Sequence, residues 1–243
     1  MPTLGPNTNA SPEILAPACI LCCGEDRQTL VSAMNQARLV GPQIEFSYRC
    51  YEFWKWNDVV VIWTGIGTGC LEPLLWEIFQ PGVIQKIVLV GTAGKMPNSS
   101  VVGGQVYLIN EAWLAGTGLD GEQLQQPLRP RWPARHGLPE TSSVSTDFYY
   151  GFAPVNCLPQ HPFSAGPLRG AFEFHAARGT GMVEMEVAQF YAFCENFPHG
   201  PSEYIAAKVC SNTVGAGEDQ VANTDAAMVD AVAAACKMLG LSR

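Results

Sequence analysis

The sequence predicts an α/β layered domain, and three observations carry that reading. Apolar, β-branched runs of strand length alternate with helix-length periodic segments along the chain. Of 243 residues, 47% are hydrophobic and 15% are charged, so a large core can be buried and little charged surface is left over. Two Gly-rich segments follow strand-like runs, and in open α/β sheets ligands gather at the carboxyl ends of strands.

The elements are read in chain order. ACILCC (18–23) reads as a strand and DRQTLVSAMNQARLV (26–40) as a helix. IEFSYRCYEFWKW (44–56) alternates like one long strand or a hairpin. VVVIWTG (59–65) is a strand, LEPLLWEIF (71–79) a helix and IQKIVLVG (84–91) a strand. GQVYLIN (104–110), SSVSTDFYY (142–150) and YIAAKVCS (204–211) are further strands. MVEMEVAQFYAFCENF (182–197) and NTDAAMVDAVAAACKMLG (223–240) are helices, the second stopped by Gly240. Residues 112–180, rich in Pro, Gly and Gln, read as loops between two strands.

Composition narrows the function classes. The net charge is −8 and no Lys/Arg cluster is present, which argues against a nucleic-acid partner. The polar, Pro-rich start lacks a basic n-region followed by an apolar h-region, and no run reaches the length of a membrane span. The expectation is a cytoplasmic protein with a flexible arm over 1–16 and one domain over 17–243. Surface hidden in a homo-oligomer, a dimer or larger, would account for the low charge content. Nine cysteines include Cys19, Cys22 and Cys23 as a CxxCC. No second pair completes a four-ligand zinc site, and a strand turns positions three apart to opposite faces. They read as buried thiols, with no metal expected. The four histidines show no ligand spacing.

Three segments can carry chemistry. TGIGTGC (64–70) lies between a strand and a helix, but Cys70 stands where a dinucleotide fingerprint wants its third glycine. What survives is a turn at Gly65 whose N–H groups can face a small polar ligand. VGTAG (90–94) offers close backbone approach at Gly91 and a hydroxyl at Thr92. Each segment can equally be structural. The third is Val183-Glu184-Met185-Glu186, with two carboxylates in an apolar segment. Acids there can serve the helix dipole, or one can grip the vicinal hydroxyls of a ribose.

The ordered set TGIG, VGTAG, VGGQVYLINEA, VSTDFYY, VEMEVA and VCSN resembles the nucleoside phosphorylase and nucleosidase superfamily across about residues 18–240. The resemblance implies one α/β domain around a mixed, partly closed sheet flanked by helices. It implies that Met185 and Glu186 hold ribose, that Tyr149 stacks on the base, and that Gly65, Gly91 and Thr92 lie near the nucleophile, with Val183 and Glu184 alongside. Three departures bear on the reaction. Asn212 stands where many purine-specific members carry a general-acid Asp, and an amide cannot give up a proton at neutral pH. Leu89 stands where phosphorylases carry a phosphate-binding Arg, and Gly24 and Arg27 are one residue closer together than in the early phosphate loop. Glu25 and Asp26 are the early acids available to activate water. The resemblance therefore implies N-glycosidic cleavage of a purine-type nucleoside by water, with a 6-oxopurine, futalosine-like nucleoside as the candidate substrate and without metal or organic cofactor. The alternatives are a phosphate-dependent phosphorylase and a non-catalytic nucleoside-binding protein of the same fold.

Overall fold

A central sheet buried on both faces organises the chain. The computed structural model describes residues 3–115, 126–133, 137–147, 167–214 and 224–241. Within them lie strands β1 (Ala18–Cys23), β2 (Ile44–Tyr48), β3 (Tyr51–Lys55), β4 (Val59–Thr64), β5 (Lys86–Lys95), β6 (Val106–Leu114), β7 (Glu140–Ser145), β8 (Met182–Glu184) and β9 (Glu203–Thr213). The helices are α1 (Arg27–Gln36), α2 (Thr68–Phe79), α3 (Pro167–Arg178), α4 (Val187–Asn196) and α5 (Thr224–Met238).

The strand order is β2-β3-β4-β1-β5-β8-β7-β6-β9, and β9 also pairs with β5. That second pairing closes β5, β8, β7, β6 and β9 into a ring, while β1 to β4 extend from it as an open wing. Pairings are parallel between β1 and β4, β1 and β5, and β5 and β9. They are antiparallel between β5 and β8 and between β6 and β9. The sheet is thus mixed and partly closed.

Alternation along the strands divides the core into two layers. Cys19, Leu21 and Cys23 face a cluster with α2 and α4, while Ile20 and Cys22 face α1 and α5. All six residues of β1 are buried, as expected of a parallel strand covered on both faces. Burial pushes the Cys19, Cys22 and Cys23 thiols up, which keeps them protonated packing groups. Tyr191 of α4 links the ring strands. Its hydroxyl donates to the Ile109 carbonyl at 2.6 Å and accepts from the Ala206 N–H at 3.0 Å.

Several elements differ from the sequence reading. VGTAG is not a turn: β5 runs straight through it to Lys95, with a bulge at Ala93/Gly94. The helix expected from 182 is a short strand, β8, followed by α4, because Met182–Glu184 complete the ring between β5 and β7. β7 ends at Ser145, and residues 148–150 of the predicted strand lie outside the described residues. α3 lies in the stretch read as loops. The 44–56 segment is a hairpin.

The arm is also packed, not flexible. Ala10, Ile14, Leu15 and Ala16 are buried in the main core, and Pro12–Ile14 form a turn of 3₁₀ helix. Its polar anchor is Glu77 of α2. The carboxylate accepts from the Asn7 N–H and side-chain amide, and from the Thr8 N–H and hydroxyl, at 2.7–2.8 Å. Burial pushes the Glu77 carboxyl up, but the Thr8 and Asn7 hydrogen bonds outweigh it and hold it below its ordinary value. A depressed folded-state pKa contributes stability above the unfolded value, lost as pH falls through the folded one. We therefore expect Glu77→Ala to cost about 2–3 kcal/mol in urea unfolding at pH 7, since charged hydrogen bonds are broken and buried donors orphaned. The deficit should shrink as pH falls below the ordinary carboxylate range. An equal deficit at pH 7 and at acid pH would show that the charge of Glu77 is not what secures the arm.

Candidate active site

Parallel strands bring four segments to one place. β4, β1, β5 and β9 lie side by side; β4 and β1 end at the Gly65–Gly67 turn and just before Glu25, level with Gly91, Thr92 and Lys208 in the middle of the longer β5 and β9. Gly91 is the register partner of Lys208. A Cβ on Gly91 would lie 3.0 Å from Lys208 Nζ, 3.2 Å from Glu25 Oε1 and 3.4 Å from the Cys23 carbonyl oxygen. Glycine is required there because a charged cluster occupies the space of a side chain.

Lys208 is 1% exposed in an apolar strand. Its ammonium reaches Glu186 Oε2 at 3.1 Å. Burial works against the charged form, but Glu186, Glu184 and Glu25 more than reverse that and hold Lys208 above its ordinary value. Glu25 lies across from it and accepts from the Thr92 N–H at 2.5 Å. Burial pushes the Glu25 carboxyl up, while Lys208 and Thr92 pull it partway back.

The two acids of VEMEVA have separate tasks. Glu184 is interior. It accepts from the hydroxyls of Ser143 and Ser145 and, through Oε2, from the N–H groups of Glu186 and Val187 at 2.7 Å. It is the acid that serves the start of α4. Glu186 stands at the N-cap but makes no side-chain cap. Its carboxylate turns away, to Lys208 and to the Gly67 N–H at 3.0 Å. Gly67 has φ +80°, a conformation that favours glycine and that opens α2 three residues earlier than periodicity predicts.

The same helix start holds another carboxylate. Asp147 Oδ1 accepts from the Thr68 hydroxyl at 2.5 Å, and its distance to the Thr68 nitrogen is 3.4 Å. Met185 Cε and Asp147 Oδ1 lie 3.6 and 3.9 Å from where a Gly67 Cβ would be. The Gly67 and Thr68 N–H groups at the head of α2 therefore face carboxylates of the protein.

Glu186, Met185, Gly91 and Thr92 thus converge around Lys208, Glu25 and Gly67, while Gly65 ends the β4 side two residues before Gly67 and faces Cys70 and Cys50. Val183 does not join them: it is buried in β8, in register with Gly94 and Val144. Asn212 closes β9 opposite Gly94, half-buried, with Oδ1 accepting from the Ser211 hydroxyl at 3.0 Å. Tyr149 lies outside the described residues. Arg27 is directed elsewhere, paired with Glu52 at 2.7 Å over the Trp54 ring, and Leu89 is buried in the core. Lys208 was missed by motif reading, although a lone lysine inside YIAAKVCS was its signal. No group of His, Cys, Asp and Glu suited to a metal is found among the described residues.

The sequence matches no family model and no curated relative. Solved structures do match. One is purine nucleoside phosphorylase from Toxoplasma gondii in complex with immucillin-H, 16% identical, covering 96% of this chain and 95% of that one, with a TM-score of 0.68. The chain has the nucleoside phosphorylase fold. A Plasmodium knowlesi homologue of P. falciparum PNP is similar over 97% of this chain and 93% of its own, at 14% identity and a TM-score of 0.66. Uridine phosphorylase from Schistosoma mansoni in complex with thymine covers 93% and 87%, at 16% identity and a TM-score of 0.63. No helix among the described residues is long and apolar enough to cross a membrane.

Within this fold the ion cluster carries measurable stability. Lys208→Met keeps the side-chain length and removes the charge, leaving Glu186 and Glu25 buried without their cation. We expect a loss of roughly 3–5 kcal/mol in urea unfolding, the usual result of breaking one side of a buried pair. A loss below about 1 kcal/mol, as for a solvated pair, would contradict the buried cluster.

Proposed function

We propose that the protein hydrolyses the N-glycosidic bond of a purine-type nucleoside. The observation that carries this reading is the charge of the site. Glu25, Glu184 and Glu186 surround a single buried ammonium, Lys208. With the carboxylates ionised, the cluster is net negative. A glycosyl transition state is cationic at the sugar, so such a cluster favours it. A phosphate dianion needs compensating, preferably bidentate, cations. Arg27 is engaged with Glu52, Leu89 replaces the expected Arg, and the Gly67 and Thr68 N–H groups at the start of α2 already face carboxylates.

The residues then divide the work. Glu186 accepts hydrogen bonds from the 2′ and 3′ hydroxyls and places negative charge beneath the sugar. Lys208 fixes its orientation. Glu25 takes the proton of the attacking water, and its raised pKa brings it nearer the working pH of a general base. The base leaves with the bonding electron pair. Asn212 holds its N7 and O6 edge as charge develops, which favours 6-oxopurines over 6-aminopurines. Tyr149 stacks on the base plane. The homo-oligomeric, cytoplasmic setting expected from the composition suits this reading.

Phosphate dependence decides between water and phosphate as acceptor. Inosine should yield free ribose at a rate unchanged by adding phosphate. Ribose-1-phosphate formed only with phosphate would overturn hydrolysis and leave a phosphorylase. Neither product, with nucleoside still bound, would leave a binding protein.

Two variants probe the roles. Glu186→Gln and Glu25→Gln should each lower kcat by about 10²–10⁴-fold, the range of general-base and electrostatic contributions. The wild-type kcat should fall on the acid side, with its limb above the ordinary carboxylate pKa of about 4.3, because Glu25 must be ionised and its pKa is raised. An acid limb at or below that value, or one that persists in Glu25→Gln, would remove Glu25 as the base.

A further inference from the structure

One pair of thiols differs from the others. Eight cysteines fall among the described residues; six are buried, and only Cys50 and Cys70 are half-exposed. These two meet. Cys50 follows the positive-φ Arg49 in the β2–β3 hairpin turn, and Cys70 is in the first turn of α2. β3 and β4 pair with Tyr51 opposite Thr64, so Cys50 sits across from Gly65. A Cβ on Gly65 would lie 2.8 Å from Cys70 Sγ, 3.6 Å from Cys70 Cβ and 3.9 Å from Cys50 Cβ. The Cys70 thiol thus fills the space left by one absent side chain, and Cys50 borders the same space through its Cβ. Tyr51, next to Cys50 in the chain, ties the hairpin to α2: its hydroxyl donates to the Cys70 carbonyl at 3.0 Å.

We propose that Cys50 and Cys70 form a redox-responsive pair that closes into a reversible disulfide and locks the Gly65–Gly67 turn. Hydrogen peroxide serves as oxidant. Cys50, as thiolate, attacks one peroxide oxygen; its O–O bond breaks, one water leaves and a sulfenic acid forms. Cys70 then attacks that sulfur and displaces the second water. Two thiols lose two hydrogens and two electrons, and peroxide becomes two waters. Burial pushes the Cys70 thiol up, which disfavours it as the thiol that meets peroxide first. The bond would staple the hairpin tip to the start of α2. Gly67, two residues from Gly65, donates to Glu186. A turn fixed off its reduced position therefore misplaces the ribose carboxylate. The bond stands on geometry alone; its effect on turnover rests on the nucleosidase reading.

The test oxidises the full chain with peroxide and quenches it. Non-reducing peptide mass spectrometry should find a Cys50–Cys70 linked peptide, absent from Cys50→Ser, Cys70→Ser and Cys70→Ala. Amide exchange over residues 64–71 should slow. Inosine cleavage should fall at least about tenfold, since small displacements of positioned groups cost one to two orders of magnitude. Dithiothreitol should reverse all three changes. Cys50→Ser, treated alike, should keep its activity. Over-oxidised or differently paired cysteines without that peptide would overturn the proposal, as would the linked peptide with unchanged exchange at 64–71. If the reduced protein cleaves no nucleoside, the nucleosidase reading fails, while linkage and exchange still decide this one.

Discussion

A lysine buried among carboxylates is the constraint around which the rest of the site is arranged. Isolated, the Lys208 ammonium at 1% exposure would lose its proton or unfold the strand. It keeps its charge because Glu186 touches it and Glu25 and Glu184 lie near. Each carboxylate is in turn held by backbone donors: Glu186 by Gly67, Glu25 by Thr92, and Glu184 by the first turn of α4. Removing Lys208 would leave its carboxylates buried without a cation. The cluster therefore ties the ends of β1 and β4, the middle of β5 and β9 and two helix starts into one unit.

That dependence explains details that look unrelated. Gly91 is a glycine inside a strand, where glycine normally weakens the ladder. Its register partner is Lys208, and the ammonium and a carboxylate oxygen fill the space of its missing side chain. Gly67 adopts positive φ so that its N–H meets Glu186 at the head of α2. The two acids of VEMEVA take different partners because the chain leaves β8 for α4 between them. Glu184 faces the ring interior and secures the helix, which frees Glu186 from capping.

Much of the fold was legible because it rests on patterns local in sequence. The strands β1, β4 and β9 and the two-sided burial of β1 follow from apolar, β-branched runs. The errors share a physical cause, which is tertiary pairing overriding local signal. VGTAG reads as a turn from its glycines, but β9 pairs along it and keeps it extended. Met182–Glu184 read as the first helical turn, but the ring needs a strand between β5 and β7. The arm reads as loose from its prolines, yet Glu77, an acid in an apolar helix, collects four hydrogen bonds from it. Motif order brought out Met185 and Glu186 and offered Glu25 as one of two early acids. Lys208 escaped it, since a single lysine carries no spacing. Its meaning comes from neighbours at 25, 91 and 186, far apart in sequence.

The closed ring and the open wing make different contributions to the site. Glu186, Lys208, Gly91 and Thr92 belong to the ring or its edges, where β5 pairs with three neighbours and movement is dearly opposed. Glu25 and the Gly65–Gly67 turn belong to the wing, which ends in the hairpin of β2 and β3. The ring thus holds Glu186 and its cation, and the wing brings up Glu25 and the donor at Gly67. The halves meet along the parallel β1–β5 ladder, and at the site two further hydrogen bonds cross between them, Gly67 to Glu186 and Thr92 to Glu25. The core clusters run through both halves, so the geometry of the charged groups is set where the halves join.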